Sequence, residues 1–244
     1  MNTVDQKEIQ NFSKDSMHWW DENGPFKPLH RLNPVRLKYI KDQICAHFDR
    51  DTLALNSYKG LEILDIGCGG GLVCEPMARL GGSVTGIDAD DNAINVATQH
   101  ADQLGLAITY TATSSENLLK SKKRYDVVLA LEIIEHVSNP DEFVKSVMDL
   151  CKPGGLVIFS TLNRTPKSYA LGIIAAEYIL RWVPAGTHNW KKFVKPAELS
   201  RHVRNNGGYP QNICGLGFNP IKNEFSLVPN DTSVNYFLSC VTRS

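Results

Sequence analysis

The sequence has 244 residues, enough to bury one substantial core, and we expect a single domain spanning 1–244. Hydrophobic residues make up 42% and charged residues 21%, which is typical of a folded globular protein. Lys and Arg total 26, as do Asp and Glu. This balance excludes a chain-wide positive field, so we expect no nucleic-acid partner.

The six cysteines form no Cys-x-x-Cys pair, which argues against a metal–thiolate site. The first residues have the pattern of neither a secretory signal nor a transit peptide. Both observations favour reduced thiols in a cytoplasmic compartment.

Short apolar runs alternate with helical patterns between residues 60 and 162, which predicts an α/β fold with a mostly parallel sheet. The predicted strands are 61–66, 83–87, 108–111, 125–131 and 156–160. The predicted helices are 34–44, 72–80, 92–104 and 140–150. In the C-terminal part, 196–244, a helix is followed by apolar stretches at Phe218, 225–228 and 234–238, which predict paired strands closing an edge.

A glycine-rich turn, Asp65-Ile66-Gly67-Cys68-Gly69-Gly70-Gly71, follows the first predicted strand. A strand that runs through glycines into a helix places bare backbone N–H groups beside a ligand. The dinucleotide pattern G-x-G-x-x-G/A fails at Leu72. We therefore predict a cofactor site involving Asp65, Gly67 and Gly69, with no pyrophosphate cradle; the alternative is a tight turn without a ligand.

Asp88 ends the second predicted strand, 21 residues after Gly67. A carboxylate there can accept hydrogen bonds from both hydroxyls of a ribose. The same residue could instead cap the next helix, although Asp90 and Asp91 are equally suited.

These motifs, with Tyr125-Asp126-Val127-Val128 and Lys152-Pro153-Gly154-Gly155, resemble those of class I, Rossmann-like methyltransferases. The resemblance implies a seven-stranded, mostly parallel sheet with helices on both faces and an antiparallel C-terminal strand. It also implies S-adenosylmethionine as cofactor, with 60–162 as the cofactor-binding core and the helices of 1–45 covering it.

Further segments resemble the ubiquinone-biosynthesis O-methyltransferase family from about residue 7 to 238. They include Trp19-Trp20-Asp21, Phe26 to Arg36, Glu132 to Val137, Ser160 to Arg164, Ala176 to Leu180, Pro184 to His188 and Phe218-Asn219-Pro220. The resemblance implies methylation of phenolic hydroxyls on polyprenylated ubiquinone precursors, an early catechol and a late demethylubiquinol. Its cofactor contacts fall on Arg36, Gly67, Asp88 and Leu131; many relatives have methionine in place of Leu131.

A role for Arg36 is chemically reasonable because a guanidinium can grip a methionine carboxylate through two parallel hydrogen bonds. By charge alone, a surface arginine on a helix is the simpler interpretation, and only the resemblance favours the cofactor contact.

Glu132-Ile133-Ile134-Glu135-His136 follows the fourth predicted strand. In a helix, Glu132, Glu135 and His136 would share one face. They could hold a divalent cation, with Mg²⁺ suggested by the family, and polarise a catecholate. His136 could instead act as a general base oriented by a carboxylate, or the acids could simply stabilise a helix start.

Residues 163–195 form a predicted insertion with an apolar stripe at 171, 174, 178 and 182. The surrounding stretch, 164–195, has six basic residues against one acid. This pattern favours a helix lying on an anionic bilayer, peripheral at the inner face of the membrane (the mitochondrial matrix side in a eukaryote). A core helix covering the sheet is the alternative.

Three other functions stay open on the sequence. The first is an NAD-dependent oxidoreductase, disfavoured by Leu72. The second is a non-catalytic lipid-binding or scaffold subunit. The third is an O-methyltransferase acting on another catechol or small phenol. Separately from these alternatives, other ubiquinone-biosynthesis enzymes are candidate partners.

Overall fold

The computed structural model describes residues 3–5, 8–9, 13–170, 189–219 and 221–243. Its strands are β1 (Glu62–Ile66), β2 (Ser83–Asp88), β3 (Ile108–Ala112), β4 (Tyr125–Leu131), β5 (Cys151–Leu162), β6 (Gly208–Asn219), β7 (Glu224–Val228) and β8 (Asn235–Thr242). They form one sheet in the order β3-β2-β1-β4-β5-β8-β6-β7.

Helices of very different length connect these strands. The α-helices are α1 (Lys27–His47), α2 (Cys74–Arg79), α3 (Asp91–Gln103), α4 (Ser115–Leu118), α5 (Pro140–Leu150), α6 (Pro166–Ser168) and α7 (Pro196–Asn205). Single 3₁₀ turns occur at Ser16–His18, Leu119–Ser121, Ile134–His136 and Trp190–Lys192.

Strands β1 to β5 pair in parallel, and β8 is antiparallel to both β5 and β6. The predicted α/β, Rossmann-like fold is therefore confirmed. The described part of the sheet has eight strands instead of the expected seven, because one more strand, β7, pairs antiparallel with the outer edge of β6.

Two buried clusters cover the two faces of the sheet, because neighbouring residues of a strand point to opposite sides. Ile63, Val127 and Ile158 pack on one face with α1, α2 and α3, through residues such as Ile40, Met77 and Ile94. Leu64, Val128 and Val157 pack on the other face with α5 and α7, through Val144 and Val203. The expected placement of helices on both faces is confirmed.

The predicted insertion is described only at 163–170 and 189–195. Its apolar part, including the stripe at 171–182 and the motifs at 176–180 and 184–188, lies outside the described residues. Across the part of the chain that is described, no helix combines the length and apolar character needed to cross a bilayer.

Candidate active site

A cavity of about 940 Å³ opens at the carboxyl ends of the parallel strands. Ile66, Asp88 and Leu131, at the ends of β1, β2 and β4, line it. In open α/β sheets, ligands bind in the crevice outside these strand ends. The volume is near the upper end of the range for a single small-molecule site, ~300–1,000 Å³. The cavity therefore has room for two reactants.

The loop after β1 requires glycine at particular positions. Gly67, Gly69 and Gly71 have φ of 74°, 51° and 89°, a backbone region that disfavours residues with a Cβ. A Cβ on Gly69 or Gly70 would also overlap the side chain of Trp19, which lies against the loop. The dense glycines thus allow the N-terminal part of the chain to approach closely.

Three backbone N–H groups of this loop are hydrogen-bonded within the protein, contrary to our prediction of bare donors beside a ligand. Gly67 and Cys68 donate to the carbonyl oxygen of Ile87 at 2.8 and 3.0 Å. Gly69 donates to a carboxylate oxygen of Asp88 at 2.9 Å. The loop lines the cavity and holds Asp88 in place, but these three amides are already satisfied.

Asp88 lies at the cavity wall where β2 ends. Its second oxygen accepts the backbone N–H of Asp90 at 2.9 Å. Desolvation by burial raises the pKa of Asp88, against these backbone hydrogen bonds. Each carboxylate oxygen can accept a second hydrogen bond, so Asp88 can receive two ligand hydroxyls. The helix-capping role belongs to Asp90, whose side chain accepts from Asn92.

Arg36, on α1, is only 6% exposed and lines the cavity. Its Nε and Nη2 atoms find no hydrogen-bond acceptor among the residues that the structure describes. Burial lowers the pKa of Arg36, while the negative charges of Glu132 and Asp65 oppose that effect. Buried charges are normally paired, so this guanidinium is suited to an anionic ligand. Arg36 is therefore not a surface arginine.

Asp65, at the end of β1, is 3% exposed and lines the same cavity. Burial raises its pKa to about 7, although the Cys74 thiol, 3.4 Å away, and the charge of Arg36 lower it. A cationic ligand group beside this carboxyl would stabilise its charged form.

These three residues together fit one ligand. Arg36 suits a carboxylate, Asp65 an ammonium group and Asp88 a pair of ribose hydroxyls, and S-adenosylmethionine has all of these. Leu131 is buried at the end of β4 and adds an apolar surface to the wall. The predicted donor-site residues thus line one cavity.

The Glu132–His136 segment does not have the predicted helical face. Glu132 has a positive φ of 53°, and only a single 3₁₀ turn, Ile134–His136, follows it. Glu132 accepts from the Ser160 hydroxyl at 2.8 Å, and Glu135 accepts from the Thr161 hydroxyl at 2.8 Å. Among the described residues, no group of three or more His, Cys, Asp and Glu side chains is arranged to hold a metal ion.

Two residues of this segment, Glu135 and His136, have shifted pKa values. Glu135 is 3% exposed, and burial together with the charge of Glu132 raises its pKa. Burial opposes the charged form of His136, but a hydrogen bond to Glu8 and the charge of Glu135 outweigh it, so the pKa of His136 is raised. Glu8, bonded to His136, has its pKa lowered to about 2.

Two tryptophans from the N-terminal part of the chain lie against the glycine loop, in the region that was expected to cover the cofactor. Trp19 stacks on Phe26, with ring centroids 3.8 Å apart. Trp20 donates its indole N–H to the carbonyl oxygen of Gly70 at 3.0 Å and stacks on His100. Only the family resemblance marked these residues, since pairing across such sequence distances leaves no periodic signal.

An open sheet of this order, with an acid-led glycine loop and a second acid after β2, defines a class I methyltransferase. A family model described as a methyltransferase domain matches residues 37–208. The magnesium protoporphyrin IX methyltransferase of Synechocystis, solved with bound S-adenosylmethionine, superimposes with a TM-score of 0.63 at 17% identity over all of both chains. The plantazolicin methyltransferase BpumL gives 0.65 at 16% identity over 98% of this chain and 99% of that one.

Relatives with higher sequence identity identify the family within this class of methyltransferases. The chain is 51% identical to the ubiquinone biosynthesis O-methyltransferase of Roseobacter denitrificans, over 98% of this chain and 96% of that protein. It is 49% identical to the enzyme of the same name from Bartonella bacilliformis, over 97% and 95%. The chain belongs to the ubiquinone biosynthesis O-methyltransferase family. This membership confirms the resemblance and excludes the oxidoreductase alternative.

Proposed function

We propose that this chain transfers the methyl group of S-adenosylmethionine to phenolic hydroxyls of polyprenylated ubiquinone precursors, both 3-demethylubiquinol and a 2-polyprenyl-6-hydroxyphenol or catechol. The single observation that carries the binding of S-adenosylmethionine is the buried guanidinium of Arg36, whose Nε and Nη2 atoms have no hydrogen-bond partner among the described residues and which feels the charge of Asp65. Family membership supports the acceptor half.

S-adenosylmethionine, the methyl donor, is held along the carboxyl ends of the strands. Arg36 binds its carboxylate, Asp65 its ammonium group and Asp88 its ribose hydroxyls, while Leu131 packs against the nucleoside. S-adenosylmethionine supplies an activated methyl group on sulfur, so the protein has mainly to align the acceptor oxygen for in-line attack.

The acceptor must lose a proton because a phenol has a pKa of ~10, by analogy with tyrosine. His136 lines the cavity, and we assign it the role of general base. The separate partners of Glu132, Glu135 and His136 favour this assignment over a shared metal ion. Glu135 adds negative charge that stabilises the imidazolium formed during proton transfer.

Apolar side chains form part of the cavity wall. Phe218 and Phe225, from the β6–β7 pair, line it with ring centroids 4.9 Å apart. Phe26, Leu29 and Leu32 line it as well. An aromatic acceptor ring with an apolar substituent suits these walls.

We further propose that the protein associates peripherally with the cytoplasmic face of the membrane, where such acceptors dissolve. Exposed Lys191 and Lys195 lie in the C-terminal part of the insertion and support the idea. Arg164, Lys167 and Lys192 pair with acids elsewhere in the chain, which reduces their contribution. Sedimentation with anionic vesicles tests it, with neutral vesicles and a Lys191→Gln/Lys195→Gln variant as controls. Equal, negligible binding to both vesicle types would refute it.

Turnover of a short-chain demethylubiquinol tests the whole proposal. We expect methylation that requires S-adenosylmethionine, and absence of turnover under every metal condition would overturn the function. Assays with EDTA and with added Mg²⁺ test the choice between base and metal. Abolition of turnover by EDTA and its recovery with Mg²⁺ would assign the three side chains to a cation instead. A small catechol without an apolar tail, assayed alongside, tests the alternative acceptor.

A further inference from the structure

Glu8 connects the N-terminal end of the chain to the acceptor side of the cavity. Its Oε2 atom lies 3.2 Å from Nδ1 of His136, across 128 positions of sequence. The two side chains are 21% and 14% exposed. This contact is therefore well shielded from solvent and brings a carboxylate to the ring assigned as the base.

Lys192 holds the other oxygen of Glu8. Its Nζ lies 2.9 Å from Glu8 Oε1 and 3.2 Å from Asp5 Oδ2. Because Lys192 occupies one oxygen, the other is aimed at His136. The two oxygens of Glu8 thus have different partners, Lys192 on one side and the imidazole of His136 on the other.

A carboxylate at Nδ1 determines which tautomer the neutral imidazole adopts. Nδ1–H donates to Glu8, so the lone pair is on Nε2, and the ring cannot rotate without losing that hydrogen bond. Catalytic histidines in other enzymes are oriented by a buried carboxylate in the same way. Proton transfer is sensitive to such alignment.

We propose that Glu8 is a positioning residue for methyl transfer, held by Lys192 and orienting the His136 ring from the N-terminal segment. The inference rests on the function proposed above, which gives His136 its task. It adds Glu8 to the residues that line the cavity, from a part of the chain far from the strand ends in sequence.

A double-mutant cycle tests the inference on the full-length enzyme with short-chain demethylubiquinol. We expect Glu8→Ala to lower kcat by about tenfold to a hundredfold, with little change in KM or in the affinity for S-adenosylmethionine by calorimetry. In a His136→Ala background, the same substitution should change kcat by less than about twofold. Glu8→Gln, which keeps an oxygen that can accept from Nδ1–H, should recover part of the loss.

Asp5→Asn is the matched control because Asp5 shares Lys192 with Glu8, and it should leave kcat within about twofold of the wild type. Equal losses from Glu8→Ala in both backgrounds, or an Asp5→Asn loss as large as that of Glu8→Ala, would overturn the inference. So would a Glu8→Ala enzyme as active as the wild type. A wild type that does not methylate the acceptor would overturn the proposed function instead.

Discussion

Trp19 lies so close to Gly70 that no side chain fits between them: a Cβ on Gly70 would overlap the Cβ and ring of the tryptophan. Gly70 is not among the glycines with positive φ, so alanine there is opposed by this contact and not by the backbone. We expect Gly70→Ala to displace Trp19 and weaken the affinity for S-adenosylmethionine by about tenfold, from an overpacking cost of ~1–3 kcal/mol. Calorimetry measures this affinity.

The same substitution in a Trp19→Ala background is the control. With the indole removed, Gly70→Ala should cost almost nothing further. An equal loss of affinity in both backgrounds would mean that the glycine serves the ligand directly and not the tryptophan.

Arg36 provides a test of donor recognition. Arg36→Lys keeps the charge but removes the planar pair of donors, so we expect about tenfold to a hundredfold weaker binding of S-adenosylmethionine. The rise in Tm on adding the cofactor should shrink accordingly, since ligand binding stabilises the folded state by mass action. Arg31→Lys, on the same helix but bonded to Asn223, should leave both quantities unchanged. Normal cofactor affinity in Arg36→Lys would contradict the assignment.

We expect Asp65 to make cofactor binding depend on pH. Its pKa in the unliganded protein is raised to about 7 by burial, and a bound ammonium group favours the charged carboxylate. Binding therefore removes a proton below pH 7, and affinity should fall by about tenfold per unit as the pH drops from 7 to 5. Calorimetry in buffers of different ionisation enthalpy counts the proton. Asp65→Asn should bind weakly with no such slope, and a flat wild-type profile would refute the assignment.

Much of the fold was predictable because β1, β2, β4 and β5 are largely buried strands with sharp stops. The prediction for β4, 125–131, matches the observed bounds. The prediction for β5, 156–160, was too short, because Pro153 and Gly154 suggest a turn although the strand runs from Cys151 to Leu162 through an irregular pairing with β4. Strand β7 was predicted only as part of an edge, because its short apolar run gives no register.

The lining of the cavity was predictable where a residue lies at a strand end, as Asp65, Asp88 and Leu131 do. The prediction that Glu132, Glu135 and His136 share a helical face was wrong. The chain turns at Glu132 through a positive φ, which a prediction from helical spacing does not take into account. Glu8 and Lys192 were missed because their partners are brought together only by the tertiary fold.

Glu135 combines a catalytic assignment with a cost to stability. Its pKa is raised on folding, by burial and by the charge of Glu132. A carboxyl whose pKa is raised on folding destabilises the folded state once the pH exceeds 4.5, the pKa in the unfolded chain. This destabilisation reaches its full size when the pH exceeds the pKa in the folded state. Glu135→Gln removes that destabilisation and keeps an oxygen for the Thr161 hydroxyl. We therefore expect a higher Tm at pH 8, by about 2–4 °C per kcal/mol regained, and little change at pH 5.

Turnover should move in the opposite direction, falling by about tenfold or more, because Glu135 no longer stabilises the charged imidazole beside it. Glu142→Gln, at an exposed position on α5, should alter neither quantity. Calorimetric melting at the two pH values, with kcat measured on the same samples, separates the effects. A Tm change of equal size at pH 5 and pH 8 would show that the carboxyl is not held against its charge, and unaltered kcat would remove Glu135 from the acceptor side of the site.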